Sequence, residues 1–85
     1  ARRRGERVHL REEARFHLEL LRAPQPALQL AQDNWAVQKE PADARVLLEA
    51  ALAADAKAAA RPVLDWLAAH KLEDVALEKL RGQLN

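Results

Sequence analysis

Seven arginines stand among the first 22 residues, against four glutamates, and their spacing is what this chain offers as chemistry. Placed on a helical wheel, Arg4, Arg11, Arg15 and Arg22 fall within about 40° of one another, so a single helix would carry them as one stripe. A guanidinium presents a planar fork of N–H donors that fits carboxylate or phosphate oxygens two at a time. Arg45, beyond the midpoint of the chain, adds a fifth basic position of the same kind. Asn34 and Gln38 are amides set among apolar residues, and each needs a hydrogen-bond partner or a wet edge. They could serve a groove, or be satisfied locally by caps and edge hydrogen bonds. The stripe also has an ordinary reading: a solvated face whose arginines pair with Glu12, Glu19 and Glu49.

Other chemistries find less support. Arg2, Arg3, Arg4, Arg7, Arg11 and Arg15 could form an arm that binds phosphates by counterion release. The net charge of only +1, the three aromatic residues and the interleaved glutamates argue against nucleic acid as the partner. His9, Glu13 and His17 recur at every fourth position of one helix, and neighbouring pairs could chelate a divalent metal. Three ligands spread over two turns seldom reach one ion, so a packed histidine and an ordinary Glu–His pair are expected instead. The chain has no Cys, Ser, Thr or Tyr, and no glycine-rich phosphate loop. The adjacent acids Glu12–Glu13 and Glu73–Asp74 point in different directions on a helix. A non-catalytic protein without cofactor or metal is therefore expected.

Alanine and leucine dominate, glycine is scarce, and the four prolines sit between helical patterns or near their starts, which predicts an all-α chain. Residues 1–5 should be frayed. A first helix is expected over about 6–22, with Leu10, Ala14, His17, Leu18 and Leu21 in an arc of about 100°. Pro24 and Pro26 separate it from a second helix over about 26–39, which buries Ala27, Leu28, Leu30, Ala31, Trp35 and Val37. The stretch WAVQKEPADARVLL, residues 35–48, is the hinge of the arrangement, with Pro41 opening a third helix over about 42–54. That helix is apolar nearly all round, with only Arg45 and Glu49 as a polar strip, so it should lie at the centre. Asp55 is a plausible N-cap for a fourth helix over about 57–70, which Pro62 would kink or delay. Trp35 and Trp66 should be core anchors. A fifth helix follows over about 73–83. Connections this short make consecutive helices antiparallel neighbours.

Two hairpins of about 34 residues each match the period of tetratricopeptide repeats. Ala14, Ala27 and Ala31 stand near the small and packing positions of a first repeat, and Pro41 near its closing proline. Ala51, Ala60, Leu64 and Ala68 stand similarly in a second, and residues 73–84 resemble the helix that caps such an array. HLREEARFHLELL followed by NWAVQKEPADARVLLEAALAA resembles the C-terminal part of bacterial tetratricopeptide-repeat proteins. The usual Gly and Tyr of the first helix are absent, about two extra residues separate Ala14 from Pro41, and Pro62 is unusual in a second helix.

The resemblance implies a right-handed stack of two helical hairpins and a terminal helix, hairpins at about 6–40 and 42–70, forming one domain over 1–85. It implies a scaffold role in protein–protein interaction, with Arg11, Arg15 and Arg45 facing a concave groove that takes an acidic peptide or a free carboxylate. Glu49 departs from that pattern. Asn34 is the amide candidate for the same groove. The rival expectation is a structural cap or a self-associating unit, sticky through Phe16 and Leu20 or through Leu77 and Leu84. The chain starts at Ala1 without Met, so an excised or processed piece of a longer protein is expected. No apolar run approaches a membrane span, and the lack of cysteine fits a reducing cytoplasm.

Overall fold

The computed structural model describes residues 6–70 and 74–84, with side chains from Leu10 onward. The expected fraying of residues 1–5, and the side chains of Arg2, Arg3, Arg4, Arg7 and His9, lie outside what is described. So do residues 71–73, with Glu73 among them.

Five α-helices make up the fold: α1 (Glu6–Glu19), α2 (Pro24–Val37), α3 (Pro41–Ala53), α4 (Arg61–His70) and α5 (Val75–Leu84). No strand occurs among the described residues. The boundaries differ from the sequence expectation for local reasons. The chain leaves α1 by a turn in which Ala23 N–H donates to His17 O at 2.8 Å, and Arg22 lies in the left-handed region at φ 50°. Pro24 then begins α2 instead of preceding it. The first turn of a helix has no use for its own N–H donors, so Pro24 and Pro26 both fit there.

Pro41 opens α3 in the same manner, and Asp43 Oδ2 accepts the Glu40 N–H at 2.9 Å. Asp55 is no N-cap. It sits at φ 54° just past the end of α3, where its N–H donates to Leu52 O at 3.1 Å and that of Ala56 to Ala51 O at 2.8 Å. That bond pair is the Schellman closure, built here on Asp in place of the usual Gly. Residues Lys57–Ala60 form a single 3₁₀ turn, and α4 starts only at Arg61, with Pro62 as its second residue. The proline thus delays the helix rather than kinking it, because its missing N–H falls where no acceptor is needed.

α3 touches every other element, as its nearly continuous apolar surface requires. Val46, Leu47, Leu48, Ala50 and Ala51 are buried along it, and the small alanines let neighbouring backbones approach. α1 and α2 pack as a hairpin, α3 lies against both, and α5 lies against α3. Trp35 of α2 is buried and meets the half-buried Trp66 of α4 edge-on, with centroids 5.2 Å apart. His70 lies over Trp66 at 4.4 Å. Leu77 and Leu84 of α5 are buried against the core, whereas Phe16 on α1 and Leu20 just past its end are 47 % and 72 % exposed. Of the two sticky ends expected, the α5 residues are therefore excluded. Leu21 and Val37, expected in the core, are exposed as well, because each sits at or just past the end of its helix, beyond the packed neighbour.

Candidate functional site

Between α1 and α3 lies an open cleft of about 300 Å³ lined by Arg11, Glu12, Arg15, Ala42 and Arg45. Residues four apart on one helix lie above one another, so Arg11 and Arg15 share one wall. Ala42 and Arg45 supply the other from the first turns of α3. The small Ala42 side chain leaves the space open between the guanidinium groups.

Asp43, which does not line the cleft, holds its Arg11 wall from behind. Its side chain is fully buried. Its Oδ1 accepts from Asn34 Nδ2 at 2.7 Å, Arg11 Nη1 at 3.2 Å and Gln38 Nε2 at 3.2 Å. Its Oδ2 accepts the Glu40 amide. A buried carboxylate is tolerated only when hydrogen-bonded and paired, and here both conditions are met. Arg11 is thereby fastened at the root of the cleft, with Glu40 Oε1 a further 3.6 Å neighbour at the surface.

Arg15 is held differently. Its guanidinium pairs with Glu49 of α3 and with Glu19 one turn along α1 at 3.5 Å. Arg15 and Glu49 are each about one-third exposed, so both partners of this pair face water, whereas in the Arg11 pair the acid, Asp43, does not. Arg45 is exposed and forms no ion pair among the described residues.

Arg11, Arg15 and Arg45 are thus brought together on one cleft. Asn34 is not part of its surface. It is fully buried on α2, and its role is to orient Asp43. Among the described residues no donor reaches its Oδ1. The pairs of the solvated-face reading are present for Glu19 and Glu49, whereas Glu12 lines the cleft.

Asp43 escaped the sequence reading. Two signals pointed to it. It stands at the third residue of a proline-initiated helix, where an acid bonds back to the N-cap amide. It also follows closely on Asn34 and Gln38, four residues apart at the end of α2, both of which need an acceptor.

No cluster of three His, Asp or Glu side chains that could hold a metal occurs among the described residues. His17 instead spends its Nδ1 on Glu13 O at 2.8 Å and packs edge-on against Phe16. No described helix is long and apolar enough to cross a membrane. Compared with known protein families, curated proteins and solved structures, the chain matches none of them.

Proposed function

We propose that the chain is a non-catalytic protein-interaction module of tetratricopeptide-like build, whose α1–α3 cleft receives an acidic segment or free carboxylate of a partner protein. The observation that carries this reading is the convergence of Arg11, Arg15 and Arg45 on one open cleft. The stacking reading draws on α3 lying beside both α1 and α5. That arrangement sets the first helices of successive hairpins next to one another, as in a helical-repeat array. Residues from α1 and α3 line the groove in such a stack, and the cleft is bounded by those two helices.

The test uses Arg45→Glu. Arg11→Glu would put a second carboxylate beside buried Asp43 and damage the fold, whereas Arg45 is exposed and forms no ion pair among the described residues. Fluorescence anisotropy with a labelled glutamate-rich peptide is expected to show binding that weakens at least about tenfold in Arg45→Glu and falls with added salt. A glutamine-substituted peptide bound equally well would overturn the reading.

A second reading has its own support in the exposure of Phe16 in the last turn of α1 and Leu20 just past its end. On that reading the chain caps or self-associates through this face. Sedimentation velocity would then show a concentration-dependent mass that Phe16→Glu abolishes and Arg45→Glu leaves alone.

A further inference from the structure

The three arginines of the cleft are not equally available, and the difference bears on what the cleft can hold. Arg11 is committed to Asp43, a side chain with no exposure and four hydrogen bonds, so it is a fixed wall. Arg45 forms no ion pair among the described residues. Arg15 is occupied by Glu49, a half-buried side chain that reaches over from α3. Glu49 lies one turn beyond Arg45 on the same helix and, though not part of the lining, reaches the cleft through its pair with Arg15.

We propose that Glu49 is an internal competitor that occupies Arg15 in the free protein, and that the cleft is selective for a dianionic phosphoryl group carried on a partner's phosphorylated side chain. This rests on the cleft being an anion site at all. A single carboxylate that displaces Glu49 exchanges one negative charge for another. It must also overcome a tethered rival, whose effective concentration is on the order of millimolar or higher. Such a ligand gains little and bears the entropy of association besides. A phosphate monoester differs in kind. It brings a charge of about −1.5 to −2 and three acceptor oxygens, enough to engage Arg15 and Arg45 together while Glu49 swings to solvent. Diester phosphates of a nucleic acid carry one charge each and share the disadvantage of the carboxylate. The displaced Glu49 gives up only a water-facing pair, which surface exposure keeps weak.

The experiment titrates the protein with three probes: a short capped peptide containing phosphoserine, the same peptide with aspartate at that position, and inorganic phosphate. Nitrogen-15 NMR of the arginine side-chain N–H groups reports occupancy at Arg15 and Arg45. The wild type is expected to bind the phosphopeptide at least about tenfold tighter than the aspartate peptide. Glu49→Gln is expected to tighten the aspartate peptide by about tenfold and the phosphopeptide by less, which narrows the gap between them. Glu49→Ala gives the same readout without an amide that could still bond to Arg15. Phosphate alone bound as tightly as the phosphopeptide would assign the site to the free ion and overturn the partner. Binding at Arg15 and Arg45 that ignores Glu49→Gln and Glu49→Ala alike, or equal affinity for the two peptides, would overturn the competitor while leaving the anion cleft intact. No response from either arginine in wild type or variants would overturn the cleft reading together with this one.

Discussion

Asp43 shows how one side chain can serve both fold and site. Its carboxylate joins the start of α3 to the end of α2 and fastens Arg11 on α1, so three helices meet at a single buried group. Asp43→Asn would remove the charge that pairs with Arg11 and, with its oxygen kept toward Asn34, Gln38 and Arg11, set an NH2 against the Glu40 N–H. A loss of about 2–4 kcal/mol is expected in urea unfolding, a large share of the stability of a domain this small. Arg11→Ala should destabilise for the same reason, since it strips Asp43 of its charged partner. Arg45→Ala should change stability by no more than about 0.5 kcal/mol, because the side chain is exposed and unpaired among the described residues. Equal effects of the two arginine substitutions would mean that the Asp43 network does not bear on the fold.

The sequence reading grouped these arginines correctly in space but treated them as alike. Helical spacing determines that Arg11 and Arg15 share a face. It carries no information about which acid from another helix will meet each of them. Asn34 illustrates the same limit. Its need for a partner was evident from its apolar surroundings, but the partner lies on α3, which turned a groove candidate into a support beneath the groove.

At the scale of elements, the chain stops and restarts its helices with few of the usual devices. Neither α1 nor α3 ends on glycine; Arg22 and Asp55 take the left-handed conformation instead. That conformation costs an ordinary residue about 1–2 kcal/mol, and Asp tolerates it better than most. Asp55→Gly should therefore raise stability by about 0.5–1 kcal/mol, and Asp55→Val should lower it by more than about 1 kcal/mol. Shifted urea midpoints in both variants would report this; unchanged midpoints would show that the turn after α3 is not a strained position. Proline and apolar periodicity located the breaks after α1, α2 and α3, with differences of a few residues at the helix ends. Pro24 belongs to α2 and Asp55 to the exit of α3 because hydrogen bonds closing a turn depend on where the following helix lies. The 3₁₀ turn at Lys57–Ala60 arises likewise, since Pro62 supplies no N–H to continue an α-helical pattern upstream.

For the molecule as a whole, α3 is the crowded element. Ala44, Ala50 and Ala51 have no exposure and sit where other helices cross it. Ala50→Leu adds three carbons where no space exists and should cost about 1–3 kcal/mol, read as a lowered thermal midpoint. The same change at exposed Ala53 should be neutral. Trp35 and Trp66, which join α2 to α4, offer a second check. Trp35→Ala should cost about 3–5 kcal/mol, and a smaller loss would mean that the α2–α4 contact is peripheral.

What the sequence determined by itself is the all-helical class, the count of helices, the central position of the apolar third helix and the clustering of basic residues on the first. These follow from short-range rules: helix propensity, a periodicity of 3.6 residues, and the geometry of proline. What only the tertiary structure decided is which charges meet. Arg11 falls to a buried Asp43, Arg15 to Glu49, and Arg45 to no acid among the described residues, over separations of 32 residues for the first pair and 34 for the second. Coulomb attraction and desolvation depend on distance in space and on burial, and neither is written along the chain. The same helix face can thus be a solvated stripe or a selective cleft, according to where α3 comes to rest.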